Sequence, residues 1–232
     1  MDTTEKDPVI TFNKIKAEIV HYTKMLGGVH AEEYLQQFCK ANTLAELMQV
    51  IKDNFSWACG KFVVAPSLIE EYREEFTSNN IYLNTDVEDG YLLCNNATVD
   101  VSGNATVIAR YHSKVSAYDN AIVEAYDNTL VSAYDNSTVK AYGKSMVEAN
   151  DYTTVEANSN ATVSAYGHTT VKACDETVVR AYGSVTVEAS GNAYCFSFSP
   201  IRCKLSGSAI YRIAREKTIR YASDTLTFKQ QE

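Results

Sequence analysis

Four histidines, six cysteines and a recurring set of aspartates are the side chains of this sequence suited to acid–base or metal chemistry. His21, His30, His112 and His168 have no partner at i,i+4, the helical spacing of a zinc-peptidase pair. Cys39, Cys59, Cys94, Cys174, Cys195 and Cys203 form no CxxC pair, which removes the usual zinc and redox motifs. Asp119, Asp135 and Asp151 recur every sixteen residues. Carboxylates stacked at such a spacing either hold a cation or stand screened at a solvated edge. No GxSxG, HExxH, GxGxxG or Walker-type segment occurs. The expectation is a protein that is not an enzyme, with no catalytic residue, no metal and no cofactor.

Composition narrows the remaining classes. Hydrophobic residues make up 45% of the 232 and charged residues 22%, as in a folded chain able to bury a core. The net charge of −8 is unevenly spread: residues 1–94 carry 8 Lys/Arg against 15 Asp/Glu, residues 95–193 carry 6 against 11, and residues 194–232 carry 7 against 3. An acidic surface over most of the chain argues against nucleic acid as the ligand. No apolar run has the length of a membrane span, and the start MDTTEKDPVI lacks the basic and apolar regions of a signal peptide. A cytoplasmic location with reduced thiols is expected.

The elements that position these residues fall into three parts: a helical domain over 1–80, a solenoid with lead-in strands over 81–193, and capping strands over 194–232. Helical spacing of Ile15, Ile19 and Tyr22 predicts a helix from Ile10 to Leu26, ended by Gly27-Gly28, with a second from His30 to Lys40. Capping boxes at Thr43–Glu46 and Ser67–Glu70 predict two more, running through Ile51 and to about Phe76. From Ile81 the period changes. Valines stand at 99, 107, 115, 123, 131, 139, 147, 155, 163, 171, 179 and 187, eight apart without insertion. Small residues two places before and Ala two places after most of them give a strand with one buried face. Asp-Asn, Gly-Asn, Gly-Lys or Gly-His then supplies a corner tolerant of left-handed backbone. Such corners also suit hairpins, but a meander requires neither constant length nor small core residues in every strand. The fold class predicted is mainly β, a parallel β-solenoid with an α-helical N-terminal part and a C-terminal cap.

The residue after each valine sets the turn length. Every second octad reads Glu124, Lys140, Glu156, Lys172, Glu188, while the intervening set is Asp100, Ser116, Ser132, Glu148, Ser164 and Arg180, half of it serine. Neighbouring coils lie about 4.8 Å apart, where alternating signs attract, so a turn should hold two strands and sixteen residues. Twelve octads then make about six coils. One outer face carries Thr106, Ile122, Thr138, Thr154, Thr170 and Thr186 beside this ladder. The other carries Lys114, Leu130, Met146 and Val178, with Tyr118, Tyr134, Tyr166 and Tyr182 at the strand ends, interrupted by Asn150. The tyrosines stack on one another or, with the apolar residues, form a partner-binding face; Tyr and Met are enriched in interface cores.

The phrase VxAYDN/VxAYGN behind a helical region resembles octapeptide-repeat proteins encoded by bacteria and their phages. The resemblance covers about 95–193, and the lead-in NFSWACGKFVV…GYLLCNNATV more loosely. It implies a parallel β-solenoid in a bacterial or phage-infected cell and brings no catalytic residues. In architecture alone the region is similar to the core of bactofilin-type polymer-forming proteins. The GGxGxD pattern of calcium-binding β-rolls is absent. Three functions are compatible with these readings. The first is a binding or assembly protein that associates with itself, as a homodimer, or with a protein partner. The second is an inhibitor or sequestering protein directed at a host protein through the helical domain or the acidic surface. The third is a glycan- or ice-binding solenoid using the threonines, against which the charged ladder beside them speaks.

Overall fold

Two units, Met1–Leu83 and Asn84–Glu232, make up the chain; the structure is a computed structural model describing residues 7–222. The first unit is helical. α1 (Pro8–Leu26) opens where Asp7 accepts the Val9 N–H at 2.9 Å and Pro8 occupies a position that needs no donor. After Gly27 and Gly28, α2 (Val29–Lys40) runs to α3 (Leu44–Asp53), whose first turn donates Glu46 N–H to Thr43 Oγ1 at 3.2 Å, as its capping box predicts. α4 (Phe55–Gly60), α5 (Pro66–Glu71), α6 (Arg73–Thr77) and β1 (Ile81–Leu83) complete the unit. Ser67 does not cap: α5 starts one residue earlier at Pro66, and the stretch to Phe76 breaks at Tyr72. Ile15, Ile19, Phe38, Leu47, Ile51 and Phe55 are buried together with Phe76 in this unit's core.

The second unit begins with β2 (Tyr91–Asn95), β3 (Thr98–Val101), β4 (Thr106–Arg110), β5 (Lys114–Ala117), β6 (Ile122–Ala125) and β7 (Leu130–Ala133). It continues through β8 (Thr138–Ala141), β9 (Met146–Ala149), β10 (Thr154–Ala157), β11 (Thr162–Ala165), β12 (Thr170–Ala173) and β13 (Val178–Ala181). β14 (Thr186–Ala189), β15 (Tyr194–Ser197), β16 (Arg202–Leu205), β17 (Ile210–Ile213) and β18 (Thr218–Tyr221) follow. Even-numbered strands from β2 to β16 form one parallel sheet, and odd-numbered strands from β3 to β17 form the other. From β3 to β17 each strand residue pairs with the one sixteen ahead, as in Val155 with Val171 and Val163 with Val179, while β2 pairs with β4 fifteen ahead. The fold is a parallel β-solenoid with two strands per turn.

Two details differ from the sequence reading. Regular strand occupies four residues of each octad, not the six that a two-residue Asp-Asn or Gly-Asn corner would leave, because the corner takes the other four. The coils number about eight, since β15, β16 and β17 keep the parallel register beyond the last recognisable octad. Larger side chains fill the final turns. Tyr211 is fully buried, and its hydroxyl meets Ser197 Oγ at 2.7 Å and accepts the Ile201 N–H at 2.9 Å. β18 then pairs antiparallel with β17.

Within each coil the inward valines and alanines are buried, with small residues between them. The inward Thr and Ser hydroxyls are not left unpaired. Thr129 Oγ1 donates to the Tyr126 carbonyl at 2.6 Å, and Ser137, Ser145, Thr153, Thr169 and Thr177 do the same across their own corners. A hydroxyl is thus tolerated in a narrow core because it satisfies the carbonyl where the chain turns.

Candidate protein-association face

The corners decide how well successive coils are held. Asp119, Asp127, Asp135, Asp151 and Asp175 all adopt left-handed backbone, with φ between 57° and 61°. Their carboxylates accept backbone N–H groups one coil back: Asp119 from Gly103 at 3.0 Å, Asp127 from Tyr111 at 3.3 Å, Asp135 from Asp119 at 3.2 Å, and Asp175 from Ser159 at 3.0 Å. The aspartate stack therefore joins coils. No cluster of three or more metal-ligating side chains occurs among the described residues. The sequence does not announce this backbone role, although the sixteen-residue recurrence is its visible signal. Glycine replaces Asp at other corners; at Gly191 a Cβ would stand 2.8 Å from the Asp175 nitrogen.

On the even sheet the Glu/Lys ladder forms in the expected register. Glu124 pairs with Lys140 at 3.3 Å and Glu156 with Lys172 at 3.6 Å, and Glu188 lies beside Lys204. Tyr126 donates its hydroxyl to Glu124 at 2.9 Å and stacks on Tyr142 with ring centres 5.0 Å apart. Burial and the adjacent Glu124 raise the Tyr142 phenol above its ordinary range.

The odd sheet presents a different surface. Leu130 lies between Lys114 and Met146, followed by Thr162, Val178 and Tyr194. Leu130 is 40% exposed and Met146 53%. Val178 is half-buried on the same line. Two places along each strand, Ser132, Glu148, Ser164, Arg180 and Phe196 follow one another. At the strand ends Tyr118 stacks on Tyr134 at 5.2 Å and Tyr166 on Tyr182 at 4.9 Å, the rings of both pairs nearly parallel. Tyr118 and Tyr182 are exposed, whereas Tyr134 and Tyr166 are half-buried. Asn150 separates the two pairs. A depression of about 240 Å³ lies over Leu130, Met146, Glu148, Thr162, Ser164 and Arg180. It exists because Thr162 and Ser164 are short between longer neighbours.

The structure thus places all seven candidate residues, Tyr118, Leu130, Tyr134, Met146, Tyr166, Val178 and Tyr182, on the odd-strand side of the solenoid. It extends the strip to Tyr194, Phe196 and Phe198, with Phe198 62% exposed. These three stand sixteen residues beyond Val178, Arg180 and Tyr182, so the spacing itself is the signal for them. Of the histidines, His168 stacks on Tyr152 at 5.2 Å and His112 is exposed. Cys195 and Cys203 interact across the last coils: hydrogen bonding to Cys203 and burial raise the Cys195 thiol, while Cys203 is lowered. In the helical unit a separate depression of about 440 Å³ is walled by His30, Tyr34, Trp57 and Lys61, with the Tyr34 and Trp57 rings 4.1 Å apart. No helix among the described residues is long and apolar enough to cross a membrane. Family models, curated protein sequences and solved structures give no match to the chain.

Proposed function

We propose that the chain is a non-enzymatic binding and assembly protein whose rigid solenoid presents the odd-strand face for association with itself or with a protein partner. The observation that carries this reading is that exposed Leu130 and Met146 and the stacked tyrosines share one sheet face, on either side of the line Ser132, Glu148, Ser164 and Arg180. The other sheet carries threonines and paired charges at most of the matching positions, with Ile122 exposed among them. One coil geometry therefore serves both faces, and only side-chain choice distinguishes them. Exposed apolar and aromatic side chains gathered on one face, with charges between them, suit a protein interface. Seven coils, β5 to β17, set about 4.8 Å apart give a strip about 29 Å long and, with its side chains, about 18 Å wide. Its plan area of roughly 500 Å² is more than half of what a standard interface takes from each partner, about 800 Å². The strict octads of 95–193 support the resemblance to octapeptide-repeat proteins as part of this reading. A cytoplasmic site of action fits the free thiols.

The test is the double substitution Leu130→Lys with Met146→Lys. Both side chains point outward, so the buried Val and Ala positions are untouched and the fold should persist by circular dichroism. Two charges at the centre of the strip should abolish self-association and partner capture, measured as solution mass at two concentrations and by affinity isolation. A double variant that keeps the wild-type mass and every wild-type partner would remove this function.

A further inference from the structure

We infer that the occupant of this face is a second copy of the chain, seated antiparallel, with the two-fold axis running along β11 through Thr162 and Ser164. The inference rests on the association reading above and adds the identity and register of the partner. Two copies meeting face to face by a two-fold must have the axis lying in the plane between them. Two directions are natural for it: along the stack of coils, or along a strand.

An axis along the stack sets each coil against its own copy. Centred on the middle line of outward residues, it brings Glu148 onto Glu148 and Arg180 onto Arg180. Like charges placed opposite one another oppose association. An axis along a strand reverses the order of the coils and keeps each line of side chains on the same line of the partner. Glu148 and Arg180 lie on that one line, two coils apart, with Ser164 between them. Placing the axis on the intermediate coil sets Glu148 of each copy against Arg180 of the other, twice over. Shifting the axis by half a coil toward β9 sets both charges against serines, and toward β13 it sets Arg180 against Ser164 and Glu148 against Phe196.

The rest of the face fits the same register, although charge alone chose it. Met146 falls opposite Val178 of the second copy, and Leu130 opposite its Tyr194. Ser132 leaves room for Phe196. Asn150, which breaks the tyrosine ladder, falls opposite Tyr182, while Tyr166 meets its own copy at the axis. In each pair a large side chain faces a smaller one or an aromatic partner. The depression over Thr162 and Ser164 then lies on the axis, where two identical surfaces must leave room for each other. Lys114 and Arg212 fall toward the ends of the strip.

Charge reversal tests the register directly. Glu148→Arg and Arg180→Glu are made separately, and solution mass is followed across a concentration series for wild type, each variant and their equimolar mixture. Wild type should be dimeric. Each variant alone turns both cross-contacts repulsive, and its dimer should weaken at least about tenfold. In a mixed dimer the introduced arginine faces the introduced glutamate. The untouched Arg180 of the first variant meets the untouched Glu148 of the second, so the mixture should recover association close to that of wild type. Wild type that stays monomeric throughout overturns the second copy as the occupant. Variants as tight as wild type, or a mixture that fails to recover, overturn this register. In either case the Leu130→Lys, Met146→Lys protein decides separately whether the face binds anything.

Discussion

Asp135 shows how one corner residue serves three coils. Its φ of 57° turns the chain, its carboxylate accepts the Asp119 N–H at 3.2 Å, and its own N–H points to the Asp151 carboxylate at 3.4 Å. Asn, which also tolerates left-handed backbone and carries an acceptor oxygen, should replace it nearly without loss. Gly keeps the conformation and loses the acceptor, at about 1 kcal/mol. Ala loses the acceptor and adds a left-handed penalty of about 1 kcal/mol, for a total of about 2 kcal/mol. Urea unfolding of the three variants should rank Asn above Gly above Ala. An Ala variant as stable as Gly would mean that the corner relaxes out of the left-handed region.

At the scale of the strand, parallel neighbours in this solenoid are nearly identical in sequence, so slipping by one coil would still bury valine on valine. The Glu/Lys ladder opposes that slip, since a one-coil shift sets Glu beside Glu along the even sheet. Its stabilising value is small because the ions are partly solvated. Lys140→Glu with Lys172→Glu makes an unbroken run of carboxylates from Glu124 to Glu188. The loss should be about 1–2 kcal/mol in total at low salt, shrinking as added salt screens the repulsion. Denaturant melts at two ionic strengths check this; an equal loss in both would assign the effect to packing instead. The odd sheet has no alternating ladder, and its outward positions are left to Leu130, Met146 and the tyrosines.

For the whole molecule, the question is how a stack of coils ends. Any terminal strand of a parallel stack presents unpaired backbone groups to other chains. β18 covers the β17 edge by reversing direction, so it cannot template a further parallel coil. Ending the chain after Ile213 removes that strand and leaves the β17 edge open. The shortened protein should form higher-order aggregates, detected by light scattering beside the full chain. A monodisperse product would show that β18 has no capping role. The sixteen-residue turn and the two unlike faces could be read in the sequence because both are periodic. The ends of the stack could not, since Cys195, Cys203 and Tyr211 follow none of the octad's residue preferences.

The amino-acid sequence by itself determined the coil. Valines eight apart with small residues on either side allow only narrow, stackable strands, and charges alternating every sixteen residues set two strands per turn. The same spacing sorted Tyr118, Leu130, Tyr134, Met146, Tyr166, Val178 and Tyr182 onto one face. Tertiary structure decided what depends on groups that carry no sequence signal. Inter-coil pairing is made by backbone N–H and C=O, which every residue here offers save proline's missing N–H, so the solenoid runs past Gly191 wherever inward side chains still fit. The corner aspartates found their partners the same way, in backbone amides of the preceding coil that are invisible until the coils are stacked. Side-chain pattern specifies the repeat; only the stacked backbone shows where the repeat stops and what its corners hold.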